Sequence, residues 1–90
     1  MMNTRKSQIT YLELDLLKPH LPSLPEFLLR IRNVEGIKRF QASLLEIDDN
    51  TEKIKLIVDS NNLEYEKLRD RIIAQNGIIQ SIDRVIIEKI

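Results

Sequence analysis

The spacing of the apolar residues changes along this chain, and the change constrains the fold more than any other feature of the sequence. In residues 8–17, QITYLELDLL, leucine at positions 12, 14 and 16 alternates with polar residues. This is the period of a β-strand with one buried face. In residues 23–34, SLPEFLLRIRNV, the apolar positions 24, 27, 28 and 31 follow the i, i+3, i+4, i+7 spacing of a helix. The chain therefore begins as a strand followed by a helix.

The remaining segments continue this alternation of periods. Residues 40–47 and 52–59 alternate again around the turn-rich DDNT, residues 62–77 return to helical spacing, and residues 78–90 end the chain as a strand. The order βαββαβ predicts an α+β fold, the ferredoxin-like two-layer sandwich. Right-handed crossovers then give an antiparallel sheet of order 4-1-3-2 with both helices on one face. We expect a single domain over residues 1–90, with residues 1–7 as a disordered or extended N-terminal tail.

These periods assign apolar residues to the two faces of the sheet. The predicted core consists of Leu12, Leu14, Leu16, Leu24, Phe27, Leu28, Ile31, Ile54, Leu56, Val58, Leu68, Ile72, Ile82 and Ile86, with Phe40, Ala42 and Leu44 inward on the second strand. The predicted open face carries Ile9, Tyr11, Leu45, Ile57, Ile79, Val85 and Ile87. Because a monomer rarely exposes a large apolar patch, we expect partner subunits to cover part of this face, in closed symmetry.

The helix ends carry recognisable signals. Ser23 followed by Pro25 and Glu26 predicts a capping box at the first helix, and Asn61 with Glu64 predicts a second one. The dipeptide at 76–77, Asn-Gly, predicts a left-handed stop for the second helix. The prolines that precede the first helix therefore have a structural explanation.

Composition argues against several functional classes. The 14 basic residues balance 14 acidic ones, there is no cysteine, and no apolar run approaches a membrane span. The third strand has no aromatic residue on which a base of RNA would stack. We therefore expect no nucleic-acid partner and no membrane partner. We expect the protein to be cytoplasmic. A nucleophile with a base, a second histidine and a glycine-rich loop are all missing from the sequence, so we expect no enzyme.

Two residues at the end of the first strand are candidates for ligand binding. His20 is the chain's only histidine, and the alternative interpretation is a loop residue that contacts a backbone carbonyl. Lys18 is a ligand candidate or, alternatively, a solvated cation at the strand end or a counter-ion to Asp15. We interpret Asp48 and its neighbours as hairpin-turn residues rather than a calcium loop.

Carboxylates also line the predicted open face. If Ile9 lies beside Ile87, then Glu13 faces Asp83 and Asp15 faces Ser81. Like charges opposite each other destabilise a sheet, so something must offset them. The candidates are a lysine such as Lys55, a shared proton or a bound cation. An all-oxygen site for Glu13, Asp15 and Asp83 suits calcium or magnesium.

The segments LDLLKPHLPSLPEF, LLEIDDNTEKIKLIV, NNLEYEKL and IIQSIDRVI resemble an archaeal family, Domain of Unknown Function 211. The most specific element is Asp-x-x-Lys-Pro-His, here Asp15, Lys18, Pro19 and His20. The next is Ser-x-Asp, here Ser81 and Asp83. The resemblance implies a ferredoxin-like fold, a homo-oligomeric habit and an archaeal cytoplasm, and it implies no assigned activity.

Two functional hypotheses follow from the sequence. The first is a non-enzymatic small binding or regulatory module that acts as a homo-oligomer, with Asp15, Lys18, His20 and Ser81 as ligand-binding candidates. The alternative is an oligomer that binds calcium or magnesium through Glu13, Asp15 and Asp83, on the open sheet face or between subunits.

Overall fold

The computed structural model describes residues 7–90. Its elements are β1 (Ser7–Pro19), α1 (Leu24–Ile31), β2 (Ile37–Ile47), β3 (Thr51–Ser60), α2 (Tyr65–Ala74) and β4 (Ile78–Lys89). The four strands form one antiparallel sheet in the order β2-β3-β1-β4, which confirms the predicted ferredoxin-like topology. The predicted N-terminal tail lies outside the described residues except for Ser7, which belongs to β1.

The core forms between the helices and one face of the two central strands. Leucines of β1 and the alternating apolar residues of β3 meet both helices there, as the two periods predict. Its buried residues are Leu12, Leu14, Leu16, Phe27, Ile31, Val34, Ile54, Leu56, Val58, Leu63, Leu68 and Ile72. Leu24, Leu28, Phe40 and Ala42 pack at its margin as predicted.

The predicted face or burial is wrong at several positions in β1 and β4. Ile82, predicted in the core, pairs with Leu14 on the helix side but is 46% exposed, and Ile86, also predicted in the core, pairs with Tyr11 on the open face and is 36% exposed. Conversely, Ile9 and Ile79, predicted on the open face, pack against the core. The pairing of β1 with β4 shifts register between Ile9 and Tyr11, between Glu13 and Leu14, and between Asp15 and Leu16. Each shift inserts an extra residue, so strict alternation fails along β4.

The shifts also move two other apolar residues of β4. Val85 pairs with Leu12 and Ile87 with the core-packed Ile9, so both lie on the helix side rather than on the open face. Tyr11 and Ile57 are half-buried on the open face, as predicted. Ile57 pairs with Glu13, and Tyr11 precedes Glu13 by two residues in β1, so both share its face.

The helix ends differ from the predicted capping boxes. Ser23 occupies the N-cap of α1, but its side chain makes no capping hydrogen bond. Glu26 instead accepts a hydrogen bond from Arg30 at 3.1 Å. Helix α2 begins at Tyr65 with Glu64 as N-cap, so the box predicted from Asn61 is wrong as well. Local hydroxyl and carboxylate spacing permits these bonds without requiring them.

The predicted stop at the end of α2 is present. Asn76 adopts a left-handed conformation with φ of 64°, and the amide of Gly77 donates to the Ile72 carbonyl at 2.9 Å. The Asn76 amide donates to the Ile73 carbonyl at 2.9 Å, which completes a Schellman motif. Gly77 is required by space, because a Cβ there would lie 2.7 Å from Cγ2 of Ile72.

The sheet is longer than the helix layer that covers it. The helices have 8 and 10 residues and the strands 10 to 13. At about 1.5 Å per helical residue and about 3.3 Å per strand residue, the strands outrun the helices by roughly 20 Å or more. The molecule is correspondingly elongated, with extents of 49 × 21 × 18 Å. Leu44, predicted inward, is therefore 47% exposed although it is in line with buried Ile54.

Candidate functional site

Three carboxylates and one lysine form a group on the open face of the sheet, which we term the open-face cluster: Glu13, Asp15, Lys55 and Asp83. The Lys55 ammonium lies 2.6 Å from Asp83 Oδ2, 2.9 Å from Asp15 Oδ1 and 3.9 Å from Glu13 Oε1. The strands position these groups, since Lys55 pairs with Asp15 across β3 and β1. A single cation thus bridges residues from three adjacent strands.

The register of the outer pair explains how Asp83 enters this cluster. Ile9 faces Ile87 and Asp15 faces Ser81, as the sequence predicts, but Glu13 faces Arg84 rather than Asp83. Between the pairs Ile9–Ile87 and Asp15–Ser81, one shift adds a residue to β1 and the next adds a residue to β4, so the original register is restored. Asp83 falls at the shift next to Glu13, and its carboxylate still reaches Lys55.

The electrostatics of the cluster follow from these contacts. The hydrogen bond from Lys55, followed by one from Ser81, lowers the pKa of Asp83. The same bond with Asp83, together with Asp15, raises the pKa of Lys55, which is therefore charged at every physiological pH. Nearby, the Tyr11 hydroxyl donates to Glu13 at 2.8 Å, and this bond raises the pKa of Tyr11.

Lysine is thus the group that offsets the facing carboxylates in the structure. The three carboxylates and Lys55 carry a formal charge of −3 + 1 = −2, and Arg84 lies close by, 5.6 Å from the Tyr11 ring centre. Asp15 Oδ1 is buried and has ion-pair contact with Lys55 without a well-directed hydrogen bond. Within residues 7–90, no three histidine, aspartate or glutamate side chains are arranged to hold a metal ion.

A second group lies on the opposite face, where β1 ends, and we term it the strand-end cluster: Lys18, His20 and Glu52. Lys18 is only 1% exposed. Its ammonium lies 3.1 Å from Glu52 Oε1, donates to the Pro19 carbonyl at 2.8 Å, and sits 5.8 Å from the Phe27 ring centre. Glu52 and Pro19 belong to the sheet and Phe27 to α1, so the ammonium lies between the two layers.

The position of Lys18 corrects the prediction of a solvated cation or a counter-ion to Asp15. Lys18 has the same parity along β1 as the buried Leu14 and Leu16, so its side chain enters the helix side of the sheet. Asp15 has the opposite parity and lies on the open face. An ion pair between the two would have to pass through the sheet.

His20 links the strand-end cluster to the hairpin between β2 and β3. Its Nδ1 lies 3.1 Å from Glu52 Oε2 and its Nε2 lies 3.0 Å from the Asp49 carbonyl oxygen, the kind of carbonyl contact expected of a loop histidine. The hydrogen bond with Glu52, followed by that with Asp49, raises the pKa of His20. His20 and then Lys18 lower the pKa of Glu52. The protonated imidazole donates at both nitrogens, which matches two acceptors.

The four ligand-binding candidates are therefore divided between two clusters. Asp15 and Ser81 lie together on the open face, whereas Lys18 and His20 meet Glu52 on the helix side. Sequence reasoning did not include Glu52 among the functional candidates. Part of its signal was available, since Glu52 has the parity of the buried residues of β3. Its pairing with Lys18 appears only in the structure.

Comparison with known proteins places this chain among archaeal relatives. The model of a family described as Domain of Unknown Function 211, uncharacterized ArCR, matches residues 10–90. The uncharacterized protein MJ0319 of Methanocaldococcus jannaschii is 34% identical over 76 residues, which cover 84% of this chain and 78% of that protein. In the part of the chain that the structure describes, neither helix has the length and apolar character to cross a membrane.

Proposed function

The chain belongs to the Domain of Unknown Function 211 family, and from this premise we propose that it is a small, non-enzymatic binding or regulatory module that acts as a homo-oligomer. One observation carries the proposal, and it concerns the two outer strands of the sheet. Both edges are free in the single chain, and both carry exposed apolar side chains.

Strand β4 is the more apolar of the two edges. Its exposed large apolar residues are Ile78, Ile82, Val85, Ile86 and Ile87. Strand β2 adds Leu44, Leu45 and Ile47. A long apolar edge is a template for pairing with another strand, and proteins that remain monomeric blunt such edges with charges, prolines or coverage. Further copies of the chain would bury these residues, and their exposure in the single chain is what supports the oligomer.

The polar clusters favour binding or structural roles over catalysis. Both ring nitrogens of His20 are engaged, with Glu52 and the Asp49 carbonyl, so neither is free to take a substrate proton without losing a contact. Lys18 is buried with its charge paired, and Lys55 is held by carboxylates. Groups engaged by their own chain in this way are less available to act as an acid, a base or a nucleophile.

Sedimentation velocity at micromolar concentration tests the oligomer. We expect a mass of several times 10.6 kDa for the unmodified chain. Val85→Lys, on the exposed edge, should lower the mass, because a buried unpaired charge would oppose association. Leu21→Lys is the matched control, since Leu21 is the most exposed of the large apolar residues and lies in neither edge strand. A mass of 10.6 kDa for the unmodified chain would overturn the proposal.

The alternative function is divalent-cation binding at the open-face cluster. It is favoured by the excess of negative charge around Lys55 and by the buried Asp15 oxygen that lacks a well-directed hydrogen bond. A neighbouring subunit would supply the further oxygens that calcium prefers.

Thermal unfolding with and without calcium tests this alternative. If the cluster binds the ion, calcium raises the melting temperature of the parent, and the Asp15→Asn/Asp83→Asn double variant loses that rise. An equal rise in both proteins shows that these residues hold no ion. Magnesium replaces calcium in a parallel titration, and elemental analysis of the purified protein checks for a co-purified ion.

A further inference from the structure

The directions of the strands allow one copy to continue the sheet of another. Neighbouring strands are antiparallel throughout the order β2-β3-β1-β4, so the two outer strands run in opposite directions. When a second copy is placed beside the first in the same orientation, β4 of one lies antiparallel to β2 of the other. The edges also match in length, with 12 residues in β4 and 11 in β2.

The side chains of the two edges match in face as well as in direction. Cross-strand pairing defines rows that run across the sheet on its helix side, and each row ends in an apolar residue at both edges. The rows are Phe40, Val58, Leu12 and Val85; Ala42, Leu56, Leu14 and Ile82; and Leu44, Ile54, Leu16 and Ile79. A second copy that continues these rows buries apolar side chains against apolar side chains. A one-residue slip would turn them to the open face.

A groove beside β2 adds a receptor for the end of β4. It lies between α1 and the start of β2, has a volume of about 590 Å³, and includes the apolar residues Leu28, Leu29, Ile37 and Phe40. Arg32, Lys38 and Arg39 line it as well. Ile37 pairs with Ser60 at the end of the sheet where Ile9 pairs with Ile87, so the groove is level with the last residues of β4.

The end of β4 has the chemistry that this groove accepts. Ile87 is 61% exposed on the helix side, and the exposed acidic residue Glu88 follows it. Among the described residues Glu88 forms no ion pair within its own chain. An exposed isoleucine on the helix side complements the apolar part of this groove. Glu88 has the opposite parity and lies on the open face, near Tyr11 of its own chain.

The helix layer offers a second point of contact. Arg71 donates to the Arg30 carbonyl, so this flank of α2 faces α1 of the same chain. Ile73 lies two residues, or about 200°, further around α2 and is exposed on the other flank. Leu29 is exposed on α1 and lines the groove. Extension of the sheet brings these two flanks toward each other.

We propose that copies of this chain associate head to tail, with β4 of one copy added to β2 of the next and Ile87 received by the groove between α1 and β2. The proposal rests on the homo-oligomer proposed above and names its interface. Because the two surfaces in contact differ, every copy uses both edges, and the assembly grows until it closes into a ring. An arrangement that pairs β4 with β4 leaves the groove unused.

Two single-edge variants test this arrangement by sedimentation velocity. Val85→Lys blocks β4 and leaves β2 intact, whereas Leu44→Lys blocks β2 and leaves β4 intact. We expect each variant alone to sediment as a monomer. A 1:1 mixture should form a dimer of twice the monomer mass. The unmodified β2 of Val85→Lys pairs with the unmodified β4 of Leu44→Lys, and the two edges that remain free both carry a lysine substitution. Leu21→Lys should keep the mass of the unmodified chain.

The other outcomes overturn the arrangement in distinguishable ways. If Leu44→Lys alone still dimerises while Val85→Lys does not, β4 pairs with β4; the reverse result means that β2 pairs with β2. If both variants keep the parental mass, the interface lies on another surface. An unmodified chain of 10.6 kDa would instead overturn the proposed homo-oligomer itself. Circular dichroism confirms folding of each variant, and Ile87→Lys and Leu45→Lys, both at exposed positions, replace a variant that fails to fold.

Discussion

Two lysines on the adjacent central strands neutralise carboxylates in contrasting ways. Lys55 contacts three carboxylates on the open face and keeps about a quarter of its side chain exposed. Lys18 contacts one carboxylate, on the helix side, and its side chain is fully buried. We expect the lysine with fewer partners to contribute more to the stability of the fold, because its charge is buried. The number of ion pairs would then be a poor guide to their energetic contribution.

Solvent accounts for the contrast. Near the surface the attraction between charges is weakened by water, and exposed pairs contribute little to stability. In the interior the same attraction is strong, but so is the penalty for an ammonium without a partner. The Lys18 ammonium also has the Pro19 carbonyl and the Phe27 ring, which help to satisfy it. The four predictions that follow test this contrast, from the largest expected effect to the smallest.

Glu52→Ala should cause the largest loss of stability, about 3 kcal/mol, because it leaves the Lys18 ammonium buried without a carboxylate. Urea denaturation measures the free energy of unfolding. The double variant Lys18→Met/Glu52→Leu is the control, since it removes both charges and should be more stable than Glu52→Ala alone. A Glu52→Ala protein as stable as its parent would show that the buried Lys18 ammonium does not depend on a carboxylate partner for the stability of the fold.

Lys55→Met should destabilise the chain by less than half as much as Glu52→Ala does. It leaves three carboxylates close together, but water reaches the open face and screens their repulsion. The same denaturation experiment compares the two variants directly. A loss larger than that of Glu52→Ala would reverse the comparison between the clusters.

The pH dependence should distinguish the clusters through His20. The contacts with Glu52 and Asp49 raise the pKa of His20 above its ordinary value near 6.5, so the stability they supply is complete below pH 6.5. It is lost as the pH rises through the higher pKa of the folded state. Melting temperatures of the parent should therefore fall, relative to those of His20→Gln, between pH 6 and pH 9.

A matched control uses the other cluster. Lys55→Met keeps His20 and its two acceptors, so its melting temperature should change between pH 6 and pH 9 as the parent's does. If His20→Gln follows the parent at every pH, the histidine contacts do not contribute to stability.

Salt should produce the smallest effect. Asp83→Asn removes one partner of Lys55 at a partly exposed site, and we expect a slight fall in melting temperature at low ionic strength. In 1 M NaCl, where the Debye length is about 3 Å, this fall should nearly vanish. The fall caused by Glu52→Ala should persist, because Lys18 is shielded from ions. Equal salt sensitivity of the two variants would contradict the contrast.

Much of the fold could be predicted from local spacing, and the strand-end cluster partly could. The parity of Lys18 is readable in β1, where it follows Leu14 and Leu16 by steps of two, and that parity places it inside. The expectation that a lysine at a strand end is solvated outweighed this signal. Pairing of Lys18 with Glu52 could not be read, because it depends on the register between strands far apart in the chain.

The sequence by itself determined the order of the elements, the buried face of β1 and β3, and the left-handed stop at Asn76. The stop at Asn76 depends on contacts between residues that are near in sequence. The buried faces of β1 and β3 can be read because apolar and polar residues alternate along the whole strand. The tertiary structure alone decided which residues of β4 face the helices and which carboxylates share Lys55. An edge strand is held from one side only, so a register shift costs it little, and no local spacing records where such shifts occur.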